Sequence, residues 1–140
     1  MRYARWSFAI LTALMCTAGV PASAQPLFDN WNTQACNVTE YTGFVVPRPT
    51  LVRRIDIWFR WNANETSVGY AVARNREVVA TGELSRAECD PHQAAWCVAR
   101  VEPNIELEAG DWIFKTDRPG ICQNAGSQGV GFIRVFGSAE

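Results

Sequence analysis

Lysine is nearly missing from this 140-residue chain: Lys115 stands alone, and arginine carries the rest of the positive charge. There is a single histidine, His92. No C-x-x-C pair, no G-x-S-x-G segment and no phosphate-loop lysine occurs. Each absence removes a class of function. Nucleic acid asks for a basic surface, and this chain has none. A zinc site takes about four ligands at suitable spacing, and no second histidine exists to join the first. A nucleophile–histidine–acid arrangement has only His92 to serve as base. No apolar run reaches the roughly 20 residues needed to cross a bilayer. Long helical periodicity and basic amphipathic stretches are missing as well.

What is present begins with MRYARWSFAILTALMCTAGVPASAQ. Arg2 and Arg5 form a positive n-region, residues 7–16 a short apolar core, and Ala22-Ser23-Ala24 an A-x-A cleavage site. That order predicts a secretory signal peptide over residues 1–24, with a mature chain from Gln25. Cys16 follows Met15, where a lipid-attachment motif wants a small residue, so no lipid anchor is expected. Loss of Arg2 and Arg5 leaves 11 basic residues against 14 acidic ones, a net charge of −3. The reading is a secreted or periplasmic protein with no integral membrane anchor and no nucleic-acid partner.

Export fixes what cysteine does. Cys36, Cys89, Cys97 and Cys122 remain after cleavage, and an even number in a small exported domain reads as two disulfides. Four cysteines allow three pairings. Cys89 and Cys97 bracket the segment CDPHQAAWC and are close enough to close a local excursion; Cys36 is then left for Cys122. In this reading the loop containing His92, Asp90 and Gln93 is a staple and not a metal site, and no cofactor is expected.

The rest of the mature chain alternates with period two. In LVRRIDIWFRW (51–61), Ile55, Ile57, Phe59 and Trp61 share one face, and Arg54, Asp56, Trp58 and Arg60 the other, which is the pattern of a half-buried strand. Further strands are predicted at 41–46, 66–74, 76–84, 96–101, 109–117 and 129–137. Residues 84–96 allow a short helical turn capped by Ser85 and interrupted by Pro91. Seven or eight short strands with regular turn signals predict an all-β fold: a single antiparallel β-sandwich domain over 25–140, jelly-roll-like and disulfide-stabilised.

The segment LEAGDWIFKT followed by the closing strand GFIRVFG resembles the ending of galactose-binding-like jelly rolls, a pattern shared by small carbohydrate-binding modules. The resemblance covers about the last quarter of the chain. It implies an accessory binding module more readily than a catalyst, and the calcium-site residues of such modules are not placed on this chain.

Several groups compete for a functional role. Trp58 lies on the polar strand face between Asp56 and Arg60, and Trp96 lies at the edge of the disulfide loop. An indole so placed can stack on a sugar ring while Asp56 and Arg60 bond its hydroxyls; the competing reading packs Trp58 into a second buried layer beneath Arg60. Trp31, Trp61 and Trp112 are assigned to the core. The turn ICQNAGSQGVG (121–131) offers the amides of Asn124 and Gln128 as further ligand contacts. Glu106 and Glu108 would share a strand face, as a glycosidase pair might be sketched, but a solvated face is the simpler account. The sequons at Asn37 and Asn64 are discounted because the leader looks bacterial. The expected function is therefore an exported, non-catalytic binding module for a glycan or cell-envelope component. An exported inhibitor of a secreted protein, using the disulfide-held loop, is the alternative, and a small hydrolase the third.

Overall fold

The structure is a computed structural model, and it describes residues 25–139. The predicted signal peptide lies outside the described residues. Eleven strands follow in order: β1 (Phe28–Asp29), β2 (Asn37–Thr39), β3 (Tyr41–Val46), β4 (Thr50–Arg60), β5 (Ser67–Arg74), β6 (Glu77–Cys89), β7 (Trp96–Val101), β8 (Ile105–Leu107), β9 (Gly110–Thr116), β10 (Ile121–Gln123) and β11 (Ile133–Ala139). A 3-10 turn over Ala125–Ser127 is the only helical element among the described residues. No described helix is long and apolar enough to cross a membrane.

All strand pairs are antiparallel, and they join in the order β1-β11-β4-β7-β6-β5-β9-β3. The sheet then curls until its ends meet. At that seam the Thr42 hydroxyl donates to the Gly131 carbonyl, and the Gly131 N–H reaches the Tyr41 carbonyl at 3.3 Å. A Cβ on Gly131 would press on that same Tyr41 oxygen at 2.9 Å, so only glycine lets the ends approach this closely. The expected sandwich is thus one nearly closed sheet whose halves face each other across a single core.

The core follows from the alternation. Ile55, Ile57 and Phe59 of β4 point inward with Phe44, Val72, Leu84, Phe114 and Ile133 from the other strands, all buried. Tyr70 and Phe114 stack with centroids 5.4 Å apart. Val52 also points inward, out of phase with Ile55, because Arg53 is an extra residue: Phe136 pairs with Arg54 but Gly137 with Val52. Such a bulge turns every earlier side chain to the opposite face. Gly137 is required there, since a Cβ would collide with the Leu51 carbonyl oxygen.

Both disulfides form as the spacing predicts. Cys36 joins Cys122, tying the chain before β2 to β10, and Cys89 joins Cys97 as direct cross-strand partners at the ends of β6 and β7. The second bridge also explains a departure from expectation. Residues 85–89 form no helical turn; they extend β6, pairing Ser85 with Arg100 and Arg86 with Ala99 on the way to Cys89. A helical turn would carry Cys89 off the ladder that sets it opposite Cys97. Strands β1, β2, β8 and β10, two or three residues long, lie outside the strands predicted from alternation.

One ion pair ties two loops together and makes stability pH-dependent. Arg118 binds both carboxylate oxygens of Glu65, donates to the Arg60 carbonyl at 3.0 Å, and lies over the Phe59 ring. The hydrogen-bonded Arg118 guanidinium holds the Glu65 carboxyl below the usual carboxylate range. A group whose pKa is depressed on folding stabilises the fold above its unfolded pKa, and that contribution is lost as pH falls through the folded value. The pair is partly exposed, so solvent screening limits it to about 1 kcal/mol. A Glu65→Gln variant should therefore unfold at lower urea than wild type at about pH 7, with the gap narrowing as pH falls below the usual carboxylate range. An unchanged gap at the acid end would show that the loss is steric.

Candidate functional site: an aromatic groove on the outer sheet face

The outward residues of β11, β4 and β7 form cross-strand rows. Asp56 of β4 pairs with Arg134 of β11 and Arg100 of β7; Trp58 pairs with Val98, and Arg60 with Trp96. One row is charged. Arg100 grips Asp56 at 2.8 and 3.2 Å and reaches Glu88 at 3.0 Å, while Arg54 lies 3.4 Å from Asp56. Arg134 pairs with Asp29 at 3.1 Å and lies over the Trp31 ring, 3.9 Å from its centroid. Asp56 is only 4% exposed and its carboxylate is fully engaged. Removing it would leave Arg100 and Arg54 without their shared anion.

The neighbouring row is aromatic. Trp58 meets Trp96 diagonally across the β4–β7 pair, and the segment 30–36 brings Trp31 against Trp58 and Phe132. Trp58 and Trp96 are nearly parallel, 17° apart with centroids 6.3 Å apart; Trp31 tilts 51° to Trp58 at 5.8 Å and lies nearly parallel to Phe132 at 6.4 Å. Trp31, Trp58 and Trp96 are each half-buried, and Phe132 is buried. Together they line a groove of about 540 Å³, whose polar rim comes from Asn32, Thr33 and Gln34 on one side and Asp90 and Gln93 on the other. That volume suits a small-molecule or oligomer subsite.

Local chemistry explains why both rims hold their shape. On the first, the Asn30 side chain bonds the Gly131 carbonyl and accepts from the Ile133 N–H. Asn32 and Asn124 exchange two amide hydrogen bonds of 2.9 and 2.7 Å, and Cys36 is bridged to Cys122. On the second, the Cys89–Cys97 bridge closes the loop, and Asp90 Oδ1 accepts from the His92 and Gln93 N–H groups. Arg86 braces this loop from behind: it donates to the Ala94 carbonyl at 2.8 Å and the Glu65 carbonyl at 3.3 Å. No arginine or lysine lines the groove, so Asp90 is its one charged side chain.

The structure brings some of the sequence-predicted residues together and separates others. Trp58 and Trp96 meet in the groove. Asp56 stands one row away, turned to Arg100. Arg60 is exposed at the strand end, outside the lining. Asn124 is 7% exposed and acts beneath the rim, capping the 3-10 turn and holding Asn32. Gln128 lines a separate cleft beside Phe44 and Trp112. Trp61 and Trp112 are core residues as expected, but Trp31 is not; it packs on the outside of the barrel. The signal for this was its setting, DNWN, where polar neighbours on both sides fit no core strand. Phe132 and the rim amides carried no such signal.

Other chemistry finds little here. The groove holds a single carboxylate, one short of a glycosidase pair. Glu106 and Glu108 are exposed outside it, and Glu108 faces Arg74 at 3.9 Å. Among the described residues no three His, Cys, Asp or Glu side chains converge as a metal site. In comparisons with known proteins, no protein-family model and no curated protein matches the chain.

Proposed function

We propose that the protein is an exported binding module and that the groove of Trp31, Trp58 and Trp96 holds a glycan. The observation that carries this reading is the convergence of three half-buried indoles from three chain segments on one open groove with amide-bearing rims. Sugar rings present C–H faces that stack on indoles and hydroxyls that exchange hydrogen bonds with Asn, Gln and a carboxylate. The Asp90 oxygen not used by the loop is available for such a bond. Two disulfides, one bracing each rim, suit a protein that works outside the reducing cytosol. The alternative of a protein inhibitor is less well served. The exposed tip of the disulfide loop, Pro91, His92, Gln93, Ala94 and Ala95, offers no large apolar anchor of the kind that dominates protein interfaces.

Tryptophan emission tests the proposal directly. A screen of neutral and envelope-derived oligosaccharides should find one that quenches and blue-shifts the emission saturably, and Trp96→Ala should remove much of that change. If no glycan changes the emission, or if the response survives Trp96→Ala intact, the groove is not the binding site.

A further inference from the structure

Strand β6 is used on both sides for only part of its length. Its far half pairs with β7 from Ser85 to Cys89, whereas residues 77–84 pair with β5 alone. The reason lies in the facing chain. Continued past Ser85 and Arg100, the register would set Glu83 directly opposite Glu102, and like charges in a facing pair are destabilising. Pro103 follows with no N–H to offer, and Asn104 turns away in the left-handed region at φ 47°. The chain then rejoins the sheet as β8, which pairs with β4 and not with β6. The barrel therefore splits between β6 and the β7–β8 connection, and a notch of about 320 Å³ opens there, with Glu83 and Glu102 among its walls.

This free edge has the features of an acceptor strand. Every second residue of an edge strand aims its N–H and C=O away from its partner. Edges of this length are usually blunted by lysine, proline or a bulge; residues 77–84 contain no lysine or proline, and the one bulge, at Val79, leaves 80–84 in regular register. Val78 and Val79 are 55% and 45% exposed. On the inward face Leu84 is buried, Ala80 is half-buried and the Tyr70 ring lies against Gly82, so the apolar surface this edge exposes is that of Val78 and Val79. The unpaired charge of the notch is negative. Among the described residues Glu77, Glu83 and Glu102 enter no ion pair, and the one arginine in the notch, Arg100, is already held by Asp56 and Glu88. A second copy of the chain fits poorly: antiparallel pairing of two β6 edges about Ala80 would set Glu77 of each against Glu83 of the other.

We infer that the 77–84 edge of β6 accepts an extended peptide segment with alternating apolar and basic residues, added to the sheet as a further strand. Its apolar side chains pack on the exposed Val78 and Val79, and its cations lie between Glu83 and Glu102. The inference is independent of the glycan groove, which lies on another part of the sheet.

Amide hydrogen exchange on the folded protein is the test, with two synthetic probes matched to the edge in length: an alternating valine–lysine peptide and its valine–glutamate counterpart. The lysine peptide should protect amides in 77–84 saturably, and the glutamate peptide should bind at least about tenfold more weakly. Glu83 is exposed, so Glu83→Arg should keep the melting temperature and abolish the preference; Glu102→Arg should do the same from the opposite bank. In the wild-type protein, absence of protection with both peptides, equal protection by both, or protection confined to another strand would each overturn the inference. So would β6 amides protected without peptide in a protein that sediments as a dimer.

Discussion

Trp58→Ala should lose glycan binding while remaining folded. Trp58 is central in the groove, touching Trp31 on one side and Trp96 on the other, and truncation of a central aromatic anchor commonly costs 2 kcal/mol or more of binding, about thirtyfold in affinity. The indole is half-buried on the outside of the barrel and contributes nothing to the inner core cluster. Its loss should therefore cost less than the roughly 3 to 5 kcal/mol of a fully buried tryptophan. A melting curve and a binding isotherm on the same variant separate the two quantities. A near-native melting temperature with an unchanged isotherm would remove Trp58 from the site. A collapse of the melting curve would mean that the aromatic row is a second core layer, and the groove would lose its central member. Trp61→Ala is the internal control: that side chain is buried, and its N–H bonds the Cys97 carbonyl at 3.2 Å, so it should show the large stability loss.

The second large effect is expected at the long disulfide. On the chain-entropy account, a bridge between positions separated by 86 residues contributes on the order of 4 to 5 kcal/mol, against roughly 2 to 3 for the separation of 8. Replacing Cys36 and Cys122 by serine also places hydroxyls at a site where Cys122 is fully buried, so the loss should be no smaller than the entropic figure. The net stability of a domain this size is about 5 to 15 kcal/mol, and the variant should be close to unfolding at physiological temperature. Replacing Cys89 and Cys97 should leave a folded barrel whose ligand affinity falls, because Asp90, Gln93 and Trp96 lose their closure. Denaturation midpoints of the two double variants decide the order. A short-bridge variant less stable than the long-bridge one would show that native packing around Cys97 outweighs loop entropy.

The strands were legible in the sequence where alternation ran for five or more residues. Ile55, Ile57, Phe59 and Trp61 point inward as their spacing required. Arg53 shows where that reasoning stops: the bulge depends on the meeting of β4 with Gly137 near the other end of the chain, and nothing local to Arg53 announces it. The same holds for β1, β2, β8 and β10, which exist because long-range partners reach them. Trp58 and Trp96 could be proposed as neighbours of a site from alternation and loop position. Trp31 could not be joined to them, because its place depends on a two-residue strand and on Cys36 finding Cys122. Alternation with core residues places Asp56 on the outward face of β4. The arginines of β7 and β11 cover that face, and cross-strand neighbours are invisible to a single strand's pattern.

The rim that carries Trp31 has a consequence for the order of assembly. Its fastenings all come from the other end of the chain: β1 pairs with β11, β2 with β10, Asn30 with Gly131 and Ile133, and Asn32 with Asn124. Contacts between such distant segments form slowly, since closing the intervening loop comes first. A chain synthesised or threaded from its N-terminus thus presents Trp31 early and cannot seat it until the closing strand has emerged. The groove is then the last feature of the molecule to be completed, and ligand binding reports on arrival of the whole chain. A fragment lacking β11 should have no groove at all, even though Trp31, Trp58 and Trp96 are all present in it.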